Sequence, residues 1–503
     1  MTMEYFDVLI VGAGISGIDA ACHLQKEWQK QCLDKSYVIM EARDAIGGTW
    51  DLFRYPGVRS DSDMYTLGFG FKPWNESKSI AHGDTILRYV RETAEEHGIC
   101  KHIRYQHKLL AASWSTAGQR WTVTVAHGQA EIQVQCNFLL MCAGYYDYGN
   151  PHTPEIPGLH DFAGELVHPQ HWPEELDYKN KHVIVVGSGA TAMTLVPAIA
   201  EDAASVTMVQ RSPTYVVSRP SQDYIADKLR MFLPAKLAYS ITRFKNVLMQ
   251  RFMYYKTRTE PEKIKRKLLS GVRHALGPGY DIATHFTPRY YPWDQRLCLI
   301  PDGDLFKAIR SGKASVVTAD IARVTAQGLT LSNGEALQAD ILIMATGLNL
   351  RWFGGARIAV DEQPVDFSET FTYKGMMYSG IPNLIHTFGY INASWTLRAD
   401  LNSEYTCRLL RRMDELGATQ VTAQLRASDK DMQVRPWIAD FSANYMQRSM
   451  HLFPKQGNAA PWLNTQNYAK DKKLVREKLD DGVLVFGNGE PASEPAPALA
   501  RTA

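Results

Sequence analysis

The chain has 503 residues, more than a single hydrophobic core usually organises, so two or three domains are expected. Its 45% apolar and 21% charged residues describe an ordinary globular protein. Lys and Arg total 55 against 53 Asp and Glu, a net charge of +2 that excludes a global field for nucleic acid or an acidic partner. The seven cysteines are odd in number and contain no C-x-x-C spacing. That argues against a disulfide framework, a zinc ribbon or a redox dithiol, and it fits a reducing cytoplasm.

The first element is FDVLIV at 6–11, a continuous apolar run of the kind a buried parallel strand requires. GAGISG follows at 12–17, then a helical pattern, then a second strand, YVIMEA, at 37–42. Gly12 suits the tight turn, Gly14 lets backbone approach a pyrophosphate, and Gly17 lets the helix pack closely on the strand. The free N–H groups and positive dipole end of that helix favour phosphate. Glu41, at the end of the second strand, is placed for a ribose hydroxyl pair. Its distance from Gly12 is longer than usual because EWQKQCLDKS extends the helix or its loop.

The pattern recurs at HVIVVGSGATA, 182–192, ahead of the helical MTLVPAIAED. Here Gly187, Ser188 and Gly189 form the turn and Ala190 and Thr191 open the helix. The run 183–200 is long and uncharged, but Gly-Ser-Gly and a proline break it, so strand–turn–helix fits better than a membrane span. The following strand, SVTMVQR, ends in Arg211 and Ser212 rather than an acid. An arginine there suits a 2′-phosphate, with a fixed charge and a planar fork of donors. The first turn therefore reads as an FAD site and the second as an NADPH site. NFLLMCAG at 137–144 and ADILIMATG at 339–347 read as strands that return the chain to each cofactor. The expected fold class is α/β, a flavoprotein with two dinucleotide-binding domains, the second inserted into the first.

Between the two turns lies FAGELVHPQHWP, 162–173, a loop-like stretch with no nucleophile. Its Phe162, Gly164, His168, Trp172 and Pro173 match the pattern F-x-G-x-x-x-H-x-x-x-W-P. Gly47, Gly48, Trp50, Tyr55, Pro56, Gly57 and Asp61 match a second pattern. On these residues the chain resembles the class B flavoprotein monooxygenases, and within them the type I Baeyer–Villiger monooxygenases. The ending Trp-Pro departs from the Tyr-Lys or Tyr-Arg of the sister N- and S-oxygenating enzymes. Its wording over nearly the whole chain (QRSPTY, YPWDQRLCLIPDGDLF, GYINASWTLRADL) is most similar to the ethionamide-activating subgroup.

The resemblance implies NADPH-dependent reduction of FAD, a C4a-peroxyflavin, and insertion of one oxygen atom of O2 beside a ketone carbonyl. Esters or lactones result, and thioethers or thioamides are sulfoxidised by the same oxidant. It assigns Arg296 as the catalytic cation and Asp61 as its partner acid. The FAD set it implies is Gly12, Gly14, Ser16, Gly17, Glu41, Gly48, Thr49, Trp50, Asp51, Asp61 and Leu109. The NADPH set is Ser60, Gly187, Ser188, Gly189, Ala190, Thr191, Arg211 and Ser212. Gln295 stands where many relatives carry a lysine, leaving Arg211 and Ser212 for the 2′-phosphate. The fingerprint is expected on the linker, with Gly164 at a bend, His168 as a hydrogen-bonded hinge and Trp172 as a packing anchor. No metal is expected, since His168 and His171 lack a nearby third ligand.

The expected division is 1–148 and 346–487 for FAD, 149–213 and 294–345 for NADPH, and 214–293 as a helical insertion, with 488–503 a disordered tail. Residues 228–273 carry thirteen Lys or Arg against two acids, interleaved with apolar residues as in FKNVLMQRFMYY. They read as a solvated basic face over a helical core or as a peripheral contact with anionic lipid. The expected partners are a small hydrophobic ketone or sulfide and O2, without nucleic acid, in the cytoplasm or peripherally on a membrane. Two alternatives stay open: an N- or S-oxygenating flavin monooxygenase, and a non-catalytic membrane-associated flavoprotein. A flavin reductase is disfavoured by the absence of a cysteine pair.

Overall fold

The computed structural model describes residues 3–429, 431–439 and 441–488. Most of the expected tail, 489–503, lies outside them.

Two sheets organise the chain. In the first, strand Glu4–Val11 lies between Tyr37–Met40 and Ala130–Met141, parallel to both, and Leu384–His386 pairs in parallel on the far side of Ala130–Met141. An antiparallel meander, Lys108–Ser115 and Arg120–His127, extends this sheet outward. The second sheet has five parallel strands in the order 314–318, 205–210, 182–186, 341–344 and 165–167. Three inner strands carry runs of fully buried residues (Val8–Val11, Val183–Val186, Ile341–Met344), because helices and loops cover both faces there. The chain thus leaves the first sheet at Met141, builds the second, and returns to the first from residue 357 onward.

Helix Ile15–Gln31 carries the first glycine turn and packs against helix Thr396–Leu416. The stretch that separates Glu41 from Gly12 extends this helix to Gln31, and Cys32 ends it in the left-handed conformation. Helix Ala190–Ile199 follows the second turn.

Residues 162–173, expected to be loop, are partly a strand. Glu165–Val167 forms the edge of the second sheet by pairing with Ile341–Ile343. Three residues with one apolar partner row are too short to show a period, so only the pairing reveals them. The expected helical insertion opens with strand Val216–Arg219, which pairs with Cys298–Pro301. Helices Tyr224–Phe232, Ala235–Thr259, Pro261–Leu276 and Ile282–Phe286 then follow. Among the described residues no helix is long and apolar enough to cross a membrane.

Candidate active site

Both glycine turns are built the same way. The chain turns at Gly12 with φ +101°, and a Cβ there would lie 2.7 Å from the carbonyl oxygen of Cys142. Gly187 has φ +139°, and its Cβ would lie 2.2 Å from the carbonyl of Ala345. In each case the first glycine rests on the end of the returning strand, so no side chain fits. Gly17 packs on the carbonyl of Gly12, at 1.9 Å from a notional Cβ, which is why the helix starts so close to the strand.

A second glycine pair brings the Gly47–Asp61 motif to the first turn. Gly48, at φ +57°, lies against Gly14, where a Cβ would meet the Gly14 Cα at 3.1 Å. Thr49, Trp50 and Asp51 open the short helix behind it. The Glu41 carboxylate accepts from the backbone N–H of Ala13 at 2.7 Å and of Arg43 at 2.9 Å. Burial raises its pKa, and those two donors oppose the rise.

Most residues of the first turn and of the Gly48 turn line one cavity of about 500 Å³. Gly12, Gly14, Ser16, Glu41, Gly48, Thr49, Trp50 and Leu109 line one end, and Ala190, Thr191 and Thr194 the other; Ser60, Asp61 and Arg296 also face it. The cavity therefore joins the N-termini of both dinucleotide helices. Neither helix has a side-chain cap, so their first N–H groups are left for a ligand. Glycines at 12, 14 and 48 leave room for an extended phosphate-bearing group, and Glu41 supplies a ribose acceptor; the residues fit FAD.

Arg296 and Asp61 meet on this cavity, Nη2 to Oδ2 at 3.0 Å. Arg296 comes from the loop before strand Cys298–Pro301, and Asp61 from the loop before helix Met64–Leu67. The Asp61 carboxylate, more than any other neighbour, pushes the Arg296 pKa further up, against the effect of burial. Arg296 in turn opposes the burial that raises the phenols of Tyr145 and Tyr146. The Tyr145 hydroxyl donates to that of Tyr146 at 3.1 Å, and its ring stacks on Trp395 at 5.3 Å. Trp395 donates its indole N–H to Ser16 Oγ at 2.6 Å.

Several expected residues sit elsewhere. Asp51 does not line the cavity: its buried carboxylate pairs with Arg43 at 2.6 Å and Arg91 at 3.0 Å, bracing the Gly48 turn from behind. Gly17 packs beneath the helix rather than against the cavity. Gly187, Ser188, Gly189, Arg211 and Ser212 form a separate rim at the C-terminal ends of the inner strands 182–186 and 205–210, where Ser188 Oγ donates to the Ser212 carbonyl at 3.0 Å. Arg211 is exposed there and makes no ion pair among the described residues.

The fingerprint residues are also off the cavity. Gly164 has the Asp340 carbonyl 2.3 Å from a notional Cβ, and Trp172 sets its ring edge-on to Tyr178 at 6.5 Å. His168 Nδ1 accepts from the Gln170 N–H at 3.2 Å, and burial lowers its pKa to about 4. Gln170 donates to the carbonyls of Asp147 and Tyr148 at 2.8 and 3.0 Å, and His171 Nε2 lies 2.9 Å from the Tyr148 carbonyl. Gln170 and His171, inside the fingerprint stretch, thus hold Asp147 and Tyr148 of segment 145–148, whose side chains do line the cavity.

That segment, YYDY, escaped the sequence reading together with Trp395 and Arg43. Its signal was position, directly after the returning strand and its CAG turn. A second cluster also went unnoticed: Asp19, His23 and Asp400, with His23 Nε2 3.8 Å from Asp19 Oδ1 and 3.6 Å from Asp400 Oδ1.

Two dinucleotide-type helices whose N-termini meet one cavity, with an arginine–carboxylate pair on its wall, define a flavoprotein of the two-dinucleotide class. The chain belongs to the flavin-binding monooxygenase-like family, whose pattern it matches over residues 6–353. It is 52% identical over 497 residues to the FAD-containing monooxygenase EthA of Mycobacterium tuberculosis, covering 98% of this chain and 99% of that one. It is 45% identical over 486 residues to the probable FAD-binding monooxygenase AlmA of Acinetobacter baylyi, covering 96% of each. In fold it is similar to an oxidized steroid monooxygenase bound to NADP, with a TM-score of 0.77 at 20% identity, covering 96% of this chain and 99% of the other.

Proposed function

We propose that this flavin monooxygenase uses FAD and NADPH to insert one atom of O2 beside a ketone carbonyl, and to sulfoxidise thioethers or thioamides. Overall, ketone, O2, NADPH and a proton give ester or lactone, NADP+ and water. The observation that carries this reading is the Arg296–Asp61 pair on the wall of the cavity that joins both helix N-termini. Bound FAD supplies the activation of dioxygen.

The protein's own residues do the rest. The helix starts at Gly14 and Gly189 hold phosphates, and Glu41 holds a ribose. Arg211 and Ser212 hold the 2′-phosphate on the outer rim. Arg296 keeps a positive charge where negative charge develops on the ketone oxygen, and Asp61 orients it. Tyr145 and Trp395 wall off water. Asp51 acts through Arg43, as a positioning residue. We assign residues 1–148 and 346–487 to the FAD domain, 149–213 and 294–345 to the NADPH domain, and 214–293 to the helical insertion. A peripheral contact of 228–273 with anionic lipid is part of the same proposal, since apolar substrates partition there.

Aerobic incubation with NADPH, labelled O2, linear, aryl and cyclic ketones and one thioether tests the reading. An ester carrying one labelled atom supports it. Sulfoxide or N-oxide without any ester would move the enzyme to the N- or S-oxygenating branch.

A further inference from the structure

Eleven of the twenty exposed large apolar side chains among the described residues fall between 224 and 255. That concentration needs an explanation, because apolar side chains scattered singly over a surface do not. Helix Ala235–Thr259 is apolar on two sides. Ala238, Tyr239, Thr242, Asn246 and Val247 are buried against the protein. Leu237, Ile241, Phe244, Leu248, Phe252 and Tyr255 follow one another at steps of three and four, which places them on one stripe along the opposite, exposed side. The stripe is about 27 Å long at 1.5 Å per residue. At the preceding elbow, Met231 and Phe232 are 76% and 81% exposed.

The charges around this stripe are one-sided. Of the five acids in or capping the four helices 224–232, 235–259, 261–276 and 282–286, three are ion-paired and two, Glu262 and Asp281, are only hydrogen-bonded. Asp223 pairs with Lys245, Asp227 with Arg230, Glu260 with Lys256 and Lys263, and Glu262 accepts from the Tyr291 hydroxyl. By contrast, Lys228, Lys236, Arg251, Arg266, Lys267 and Arg273 are exposed and make no ion pair among the described residues. Of the thirteen cations in 228–273, then, a good part is structural, and the remainder is free.

We infer that the outer face of helices Tyr224–Phe232 and Ala235–Thr259 docks on an anionic lipid bilayer, with the Met231–Phe232 elbow and the stripe from Leu237 to Tyr255 in the interface. The proposal deepens the peripheral-contact reading and rests on it, but not on the oxygenation chemistry. A helix lying in the plane of the interface buries such a stripe among acyl chains while flanking Lys and Arg meet lipid phosphates. A second copy of the chain is the poorer occupant, because apposing two such faces brings like charges together.

The test is flotation of the FAD-loaded full chain with vesicles of phosphatidylglycerol and phosphatidylcholine, at low and high salt. Binding is expected to phosphatidylglycerol vesicles and not to pure phosphatidylcholine, and to fall with salt. Phe232→Ser/Phe244→Ser/Phe252→Ser and Lys228→Glu/Lys236→Glu/Arg251→Glu should each weaken binding by on the order of tenfold or more, with bound flavin and NADPH oxidation in solution unchanged. No binding to either vesicle overturns the proposal, as does binding of both triple variants at the level of the parent. A lipid-free dimer abolished by the serine triple, without vesicle binding, would assign the face to a second copy instead. Turnover is not read, so a failure here leaves the oxygenation reading standing.

Discussion

Arg296 Nη2 lies 3.0 Å from Asp61 Oδ2, joining a loop of the second half of the chain to one near its beginning. The pair is about one-third exposed, and the exposure is to the cavity rather than to a random patch of surface. Ion pairs this open add little stability. Their value here is a fixed charge at a chosen place.

Replacing that charge should separate reduction from oxygenation. Arg296→Ala is expected to retain FAD and to be reduced by NADPH, while ester formation falls about 100- to 1,000-fold, the cost of losing one preorganised donor. NADPH oxidation measured beside product yield checks this. Near-normal yield from the alanine variant would remove Arg296 from the chemistry.

Asp61→Asn leaves the arginine charged but without its orienting partner. Product per NADPH consumed should drop, with a smaller loss than for Arg296→Ala, and Asp61→Glu should recover part of it. A merely structural role predicts instead a lower melting temperature at unchanged product yield.

On the outer rim, Arg211→Ala should raise the KM for NADPH about 10- to 100-fold, in line with loss of a charge-assisted hydrogen-bond pair. The KM for NADH should hardly move, because that cofactor lacks the 2′-phosphate. Equal effects on both cofactors would show that Arg211 serves the turn's shape and not its selectivity.

One buried histidine, His386, and one half-buried histidine, His168, shape the acid side of the stability profile. Burial lowers His168 to about 4 and His386 to about 3. An unfolded chain protonates both near 6.5, whereas the folded one keeps them neutral. Their contribution to stability is therefore complete above that pH and is lost as pH falls from about 6.5 toward 4. His386 lies 2.8 Å from the Tyr378 hydroxyl through Nδ1. Asparagine can place a polar atom near Nδ1, so His386→Asn should show a smaller fall in melting temperature between pH 7.5 and 5 than the parent. An unchanged slope would clear His386 of the effect.

The sequence was most legible where a local rule has one solution. Strand, Gly-rich turn and helix at 4–31 and 182–199 follow from apolar runs and glycines that nothing larger can replace. It was least legible where partners come from afar. Asp51 looks like a cofactor ligand beside Gly48, but Arg91, forty residues away, helps turn it to the other side. Edge strand 165–167 exists only because residues 341–343 come to lie beside it. The apolar stripe on 237–255 was masked in sequence by the buried stripe of the same helix, since two apolar faces blur a single period.

The bracing of the first turn also sets an order of events during synthesis. Ser16 meets Trp395 and Asp19 meets Ser403, contacts 379 and 384 residues apart, and strand Leu384–His386 completes the first sheet. The opening segment therefore leaves the ribosome long before its supports exist, and such non-local closure is slow. A fragment ending near residue 150 should expose protease sites and fail to retain flavin, however complete its glycine motif. The cofactor site belongs to the finished chain, and nascent protein must be kept from aggregating until nearly 400 residues have emerged.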